Sequence, residues 1–170
     1  MLTTESERTH RESGRLGEMY ERYAPGAGRL AYLLTADRRL AEDLTQEAFA
    51  RVFGRFRDMR DPNSFESYLR RTVVNLANSH FRRARTEREW LARQPRIERT
   101  HEDPDPAERD AMWSVLQILP PQQRAAIVLR FYEDLSEQQI ADALRCPLGT
   151  VKSLLSRGLV RLRDEVTDDA

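Results

Sequence analysis

A short polar stretch near the C-terminal end of the chain carries side-chain types that bind nucleic acid. The side chains concerned are Lys152, Ser153, Ser156 and Arg157. On a helix whose buried stripe is Val151, Leu155, Gly158 and Leu162, they would lie on one outward face. Ammonium, guanidinium and hydroxyl groups contact phosphates and base edges in the major groove. The alternative is that this polar face is simply solvated. The neighbouring sequence distinguishes a solvated face from a DNA-binding one.

The residues before this stretch predict a helix-turn-helix. Ser136 and Gln139 have the spacing of a capping box, which predicts a helix over 137–144. Pro147 cannot continue that helix, and Gly149 with the residue after it can form a tight entry into a second helix ending near residue 166. Because a short helix, a turn and a polar outward face occur together, this region favours DNA reading over simple solvation.

A second candidate face lies in the first half of the chain, on a helix predicted over 65–85. Its apolar positions predict one buried side, at Phe65, Tyr68, Leu69, Thr72, Val73, Leu76 and His80. Its outward positions include Arg71, Asn75, Asn78, Arg82 and Arg83. Amides can read unstacked bases and arginines can hold phosphates. Asparagine is a poor helix former, so two on an exposed face suggest a polar task.

Other elements position these faces. Apolar residues from Leu16 onward recur at helical spacing, and Pro25 is expected to open a second helix, which gives a helical hairpin. The segment 37–53 predicts an amphipathic helix. After the turn at 61–64, Asn63 is expected to cap the helix that follows.

The bulk composition favours small helical units. The 170 residues are 39% hydrophobic and 33% charged with a formal net charge of +0, and no strand pattern occurs. We predict an all-α chain with two small helical domains joined by a flexible linker, the C-terminal one a helix-turn-helix. The expected parts are a flexible leader at 1–14, a domain at 15–86, an acidic linker at 87–107, a domain at 108–166 and a tail at 167–170.

Several kinds of site are not expected. One cysteine, Cys146, excludes an internal disulfide, and three separated histidines give no zinc spacing. No glycine loop for phosphate and no nucleophile beside a base is present, so we expect neither an enzyme nor a cofactor. No apolar run is long enough for a signal peptide or a membrane span, which predicts a cytoplasmic protein without membrane insertion.

Two strings narrow the choice further. Tyr23-Ala24-Pro25 with Leu40-Ala41-Glu42-Asp43-Leu44-Thr45-Gln46-Glu47-Ala48-Phe49, and 136–144 with Cys146-Pro147-Leu148-Gly149-Thr150-Val151-Lys152-Ser153, resemble extracytoplasmic-function (ECF) sigma factors of bacterial RNA polymerase. The resemblance covers about 15–86 and 108–166. It implies that the first domain is sigma domain 2 and the second sigma domain 4.

The resemblance also implies roles for particular residues. The docking surface for the clamp helices of the polymerase beta-prime subunit would be Asp43, Gln46, Glu47 and Arg51. Capture of the melted −10 element would use Asn63, Ser64, Tyr68, Arg71, Asn75, Asn78, Arg82 and Arg83. Reading of the −35 element would use Thr150, Lys152, Ser153, Ser156, Arg157 and Arg161. The helix expected at 122–132 would meet the beta flap.

Four positions depart from the family pattern. Leu154 stands where arginine is usual, Arg145 where glycine is common, Gly158 where alanine is usual and Tyr68 where tryptophan is frequent. Glycine inside a helix costs roughly 1 kcal/mol relative to alanine, so Gly158 predicts close packing or a bend.

The resulting hypothesis is an alternative sigma factor that binds core polymerase and directs initiation at its promoters. It would read duplex and single-stranded promoter DNA and be held by an anti-sigma factor, as such proteins commonly are. The alternatives are a stand-alone helix-turn-helix regulator and an interaction protein that binds polymerase or an anti-sigma factor without reading DNA.

Overall fold

The structure is a computed structural model that describes the backbone of residues 3–55, 62–91 and 111–168, with side chains at 14–55, 64–90 and 114–165. The described segments are helical and contain no strand. The helices are α1 (Thr3–Thr35), α2 (Arg38–Arg55), α3 (Pro62–Leu91), α4 (Ala111–Gln117), α5 (Pro121–Ile127), α6 (Glu137–Leu144) and α7 (Leu148–Asp168), and α5 continues as a π-helical turn at Val128–Tyr132. The prediction of an all-α chain is confirmed.

Helix α1 differs from the expected hairpin. It runs without interruption from Thr3 through Pro25 to Thr35, so the prediction that Pro25 opens a new helix is wrong. Apolar residues after the proline, including Leu30 and Ala31, are buried in the core that half-buried Tyr23 also contacts. The continuous helix keeps Tyr23 and the apolar residues after the proline on that core despite the hydrogen bond that proline removes. The helix also extends back to Thr3, through most of the expected leader.

The turn between α1 and α2 explains where each helix ends. Ala36 adopts the left-handed conformation (φ 63°) and donates its N–H to Tyr32 O at 2.7 Å, which ends α1. Asp37 Oδ1 then accepts from the Leu40 N–H at 2.9 Å, which caps α2. The first region, which comprises α1 to α3, therefore contains a hairpin of α1 against α2.

Aromatic rings fill the centre of the first region. Phe49 packs 5.3 Å from Phe53 and 6.1 Å from Phe65 between ring centroids, and Tyr20 and Tyr23 approach this group from α1. Phe65 is 1% exposed at the start of α3. These contacts anchor α3 against the hairpin and thereby fix which of its sides stays accessible.

Helix α3 corrects three expectations. It begins at Pro62 in place of a cap at Asn63, as suits proline in a first helical turn. It continues to Leu91, past the helix end expected at residue 85. His80 is exposed rather than buried, because the fully buried side of α3 ends at Ala77. The remainder of the expected linker lies outside the described residues.

The second region, which comprises α4 to α7, contains the predicted helix-turn-helix. Ser136 Oγ accepts from the Gln139 N–H at 3.2 Å, and Gln139 Oε1 accepts from the Ser136 N–H at 2.8 Å, which confirms the capping box. Gly158 is buried against Ile127, which confirms the close packing expected there. The entry into α7 differs from expectation, since the helix starts at Leu148 and Gly149 has no positive φ.

The two regions pack against each other. Helix α3 contacts α5 and α6, and α1 contacts α5 and the π-helical turn. Their buried residues form one continuous hydrophobic cluster. This packing was not predicted from the sequence.

Candidate nucleic-acid and polymerase interfaces

The outward face of α7 is accessible over the residues predicted to bind DNA. All six residues predicted for it are exposed, namely Thr150, Lys152, Ser153, Ser156, Arg157 and Arg161. The opposite side of the helix is buried at Val151, Leu154 and Leu155. Leu154, at the position where the resemblance led us to expect arginine, therefore lies in the core and not on the outward face.

Two side chains of this face are held against their own helix. Ser153 Oγ donates to Gly149 O at 3.0 Å, and Arg157 Nε donates to Ser153 O at 3.1 Å. Lys152 Nζ lies 3.9 Å from Glu137 Oε2, so a weak surface ion pair joins the two helices of the motif. The Ser153 oxygen can still accept a hydrogen bond, and the Nη groups of Arg157 can still donate.

The turn of the motif depends on Arg145. This residue ends α6 in the left-handed conformation, with φ 53° and ψ 47°, and the next N–H, from Cys146, donates to Ala141 O at 3.1 Å. Glycine reaches that conformation without steric cost, which accounts physically for glycine being common at this position. Burial raises the pKa of the Cys146 thiol, so the side chain stays protonated at neutral pH.

The predicted −10 residues of α3 are only partly brought together. Asn75, Asn78 and Arg82 line one side of a cleft of about 780 Å³. Both asparagines are half-buried, whereas Arg71, Arg82 and Arg83 are exposed. Arg71 lines a neighbouring depression beside α6.

The start of α3 holds the remaining members of the predicted set. Ser64 and Tyr68 are half-buried, and the Tyr68 hydroxyl accepts from Arg55 Nη1 at 2.8 Å. The side chain of Asn63 lies outside the described residues. Tyr68 therefore ties α3 to the end of α2.

The opposite wall of the cleft comes from the second region. It is formed by Pro120, Pro121, Gln122, Leu144 and Arg145. Three further charged residues of α3, Arg85, Arg88 and Glu89, also line the cleft, and the hydrogen bond to Glu89 raises the pKa of Arg85. The cleft is thus predominantly basic.

The predicted polymerase-binding face on α2 is solvent-exposed. Asp43, Gln46, Glu47 and Arg51 are all exposed, and Arg51 Nη2 pairs with Glu47 Oε1 one turn away. The buried side of the same helix includes Leu44, Ala48 and Val52. An accessible stripe of two carboxylates and an amide suits a basic partner helix.

The segment expected at the beta flap is α5 with its π-helical turn. Its interior residues are buried, but Phe131 is 63% and Tyr132 43% exposed at its end. Two exposed aromatic rings side by side are unusual for a surface without a partner.

Sequence reasoning missed three charged residues that connect the regions. Arg124 is 8% exposed, and Arg70 pairs with Glu133 across the regions. The available signal was Arg124 itself, since it stands beside the apolar run Ala125–Leu129 where a solvated charge is not expected.

Two classes of site are absent from the part of the chain that the structure describes. No group of three or more histidine, cysteine, aspartate or glutamate side chains there could hold a metal ion. Within the same residues, no helix has the length and apolar character to cross a membrane.

The fold and these faces define a class of protein, the helical two-region proteins whose second region is a helix-turn-helix. Residues 19–87 match the family Sigma-70 region 2, and residues 109–162 match the family Sigma-70, region 4. The chain is 38% identical over 143 residues to the RNA polymerase sigma-E factor of Streptomyces coelicolor, covering 79% of each protein. It is 37% identical over 154 residues to the ECF RNA polymerase sigma factor SigE of Mycolicibacterium smegmatis, covering 86% of this chain and 60% of that protein. The chain belongs to the sigma-70 family of RNA polymerase sigma factors, in its ECF group.

Solved structures share the fold. The sigma factor RpoE, in complex with the anti-sigma factor NepR from Bartonella quintana, aligns with a TM-score of 0.66 at 23% identity, over 91% of this chain and 98% of that one. CnrH in complex with the cytosolic domain of CnrY aligns with a TM-score of 0.62 at 21% identity, over 91% and 89%. The resemblance to ECF sigma factors inferred from the sequence is confirmed.

Proposed function

We propose that this ECF sigma factor engages core polymerase and promoter DNA through separate faces on α2, α3 and α7, with a further polymerase contact at the end of α5. The exposed α2 stripe of Asp43, Gln46, Glu47 and Arg51 binds the beta-prime clamp helices. The outward side of α3 holds the melted −10 strand, and the outward side of α7 reads the −35 duplex. The single observation that carries the proposal is that one chain contains both Sigma-70 regions in family order.

The chemistry of each face supports its assignment. The α7 face is fully exposed and combines cations with hydroxyls, which suits phosphates and base edges together. The α3 face combines amides with arginines, which suits unstacked bases beside a phosphate backbone. The α5 segment and its exposed Phe131 and Tyr132 supply an apolar contact for the beta flap.

Three further properties accompany this function. The chain acts as a specificity subunit without turnover of its own, since RNA synthesis belongs to the core enzyme. It works in the cytoplasm, where polymerase and promoters are. An anti-sigma factor is a proposed partner, because the sigma factor RpoE, which shares this fold, was solved in complex with the anti-sigma factor NepR.

The test is transcription in vitro with purified core polymerase on a promoter library. We expect initiation at a discrete set of promoters only when chain and core are both present. Asp43→Arg should weaken core binding by repulsion of the clamp helices, while Glu18→Arg, an equal charge change at an exposed α1 position, should not.

Different results would favour the alternatives. Tight, sequence-specific binding to a palindromic duplex by the chain alone would indicate a stand-alone regulator. Unchanged transcription after Asn78→Ala and Arg157→Ala together would indicate an interaction protein that reads no promoter.

A further inference from the structure

An exposed valine lies in the middle of the outward face of α7. Val160 follows Ser156 by four residues and Ser153 by seven, which are spacings at which helical side chains share one face. The valine is 44% exposed, whereas Val151 and Gly158 on the other side of the helix are buried. Val160 therefore shares a face with residues proposed to read the −35 duplex, although it is not one of the six predicted residues.

The side chains of this face are arranged by length. Its centre carries short side chains, those of the two serines and the valine. At about 100° per residue, Lys152 lies on one flank of this row, and Arg157 and Arg161 lie on the other. Phosphates border the major groove and base edges form its floor, so long cations suit the borders and short side chains suit the floor. A duplex paired with these cations would bring its base edges onto the row that contains Val160.

The chemistry of valine selects one base in that groove. Val160 offers two methyl groups and neither a donor nor an acceptor. The 5-methyl group of thymine is the apolar group that base pairs present in the major groove. Against the polar edge of guanine, adenine or cytosine, valine would displace water without supplying a hydrogen bond. Contact with Val160 therefore favours thymine.

A neighbouring residue shows why exposure alone is not the argument. Leu159 is 46% exposed, and single exposed apolar residues are common on protein surfaces. Leu159, however, follows the buried Leu155 by four residues and so adjoins the buried side of α7. Val160 instead has the polar, exposed Ser156 and Arg157 at the positions four and three residues before it. The valine thus lies within the proposed DNA face, and the leucine lies outside it.

We propose that Val160 is a specificity-determining residue of the −35 face, whose methyl groups contact the 5-methyl group of a thymine. The inference rests on the function proposed for α7 and adds the base that this position selects. It also predicts a spacing. Ser153 Oγ donates its proton to Gly149 O, so it can accept a hydrogen bond from the amino group of adenine or cytosine.

The distance between the two contacts follows from helix geometry. Ser153 and Val160 are seven residues apart, which is about 10 Å along a helix with a rise of about 1.5 Å per residue. Base pairs are stacked about 3.4 Å apart, so a helix lying along the groove would place the contacts about three base pairs apart. The expected −35 element therefore has a thymine about three base pairs from an adenine or cytosine.

The first experiment determines which bases the chain selects. The full-length chain with core polymerase transcribes a promoter library that is randomised over the −35 element, and the sequences of the active promoters are read. The parent should select thymine at one position, at the spacing given above. Val160→Ala should lose the preference for thymine at that position, whereas Leu159→Ala, which shortens an equally apolar side chain outside the face, should keep it.

The second experiment removes the thymine methyl group alone. Deoxyuridine replaces the selected thymidine in the template, which leaves base pairing unchanged. Initiation by the parent at subsaturating chain concentration should fall by about three- to fivefold, the effect expected for about one buried methyl group. Val160→Ala should initiate equally on both templates, and Leu159→Ala should respond as the parent does. Circular dichroism confirms that both variants are folded.

The outcomes separate the inference from the proposed function. A −35 element selected without a thymine preference overturns the inference, even if transcription depends on that element. A deoxyuridine effect of the same size in Val160→Ala and in the parent also overturns it, because the methyl group would then be read elsewhere. A parent chain that initiates with core at no −35-dependent promoter rejects the proposed function itself.

Discussion

At the scale of single residues, Arg145 is the place where the helix-turn-helix carries backbone strain. A non-glycine residue in the left-handed conformation is disfavoured by roughly 1–2 kcal/mol. Arg145 holds φ 53° at the end of α6 with an exposed side chain. The strain is local to the turn between the two helices that present the proposed −35 face.

Arg145→Gly should therefore raise the free energy of unfolding. We expect a gain of about 1 kcal/mol, because relief of the strain exceeds the extra chain entropy of glycine in the unfolded state. Urea unfolding followed by circular dichroism measures it. Arg145→Ala is the control, since alanine keeps the strain; a gain as large as that of glycine would show that the side chain, not φ, is responsible.

Cys146 lies next to this strained residue and is expected to be unreactive. Burial raises the pKa of its thiol, so less thiolate is present at neutral pH than in a free cysteine. Iodoacetamide should label the native chain more slowly than the urea-unfolded chain at pH 7.5, and Cys146→Ser should leave core-dependent transcription unchanged. Labelling of the native chain as fast as a free thiol would contradict this expectation.

Two glycines of α7 should respond oppositely to alanine. A Cβ at Gly158 would lie 3.0 Å from Ile127 Cγ1 and 3.3 Å from Cδ1, and Ile127 is buried and branched. Gly158→Ala should lower the free energy of unfolding by about 1 kcal/mol, since overpacking outweighs helix propensity. Nothing lies within 4 Å of a Cβ at Gly149, so Gly149→Ala should raise it by about 0.5 kcal/mol. Shifts of the same sign in urea unfolding would refute the packing argument.

At the scale of elements, α7 is the part whose function can be probed most directly. Arg157→Ala on its outward face should weaken −35-dependent initiation by about 5- to 150-fold, which corresponds to about 1–3 kcal/mol for a lost base contact. Arg163→Ala is the matched control, because Arg163 is also exposed on the same helix but outside the predicted set. Equal losses in transcription from a −35-dependent promoter would indicate nonspecific electrostatics.

Sequence reasoning located most elements because their signals are local. The Ser136–Gln139 capping box and the apolar period of α7 depend on neighbours within four residues. The prediction failed at Pro25, because whether a proline ends a helix depends on how the residues before and after it pack against distant parts of the core. His80 misled it likewise, since a periodic pattern gives the buried side of a helix but not where that side ends.

The α2 and α7 faces, predicted from spacing and from resemblance, lie exposed as a binding face requires. The role of their residues stays a prediction. The sequence predicted the α3 face but not that residues of the second region lie opposite it. A periodic pattern does not indicate which distant segment packs against a helix. Tertiary placement, rather than local propensity, decides whether Asn75 and Asn78 are available.

At the scale of the whole molecule, two regions were predicted but not their contact. The contact depends on a few specific groups, Arg124 with Leu34 O and Arg70 with Glu133, separated by 90 and 63 positions. Charges at such separations leave no periodic signal. The fold class could thus be derived from the sequence, whereas the packing of the two regions against each other could not.

The uninterrupted α1 helix has a consequence for local stability. Pro25 has no N–H, so the carbonyl of Glu21 lacks its intrahelical donor, and the residues before it are largely exposed from Gly14 to Arg22. Amide hydrogen exchange should therefore change rate at this position, with fast exchange before Pro25 and strong protection from Ala27 onward. Pro25→Ala should slow exchange in the N-terminal half without altering the C-terminal half; uniform protection along α1 in the parent chain would contradict the idea. The missing N–H of Pro25 would then divide α1 into a C-terminal half that is held in the core and an N-terminal half that can unfold locally.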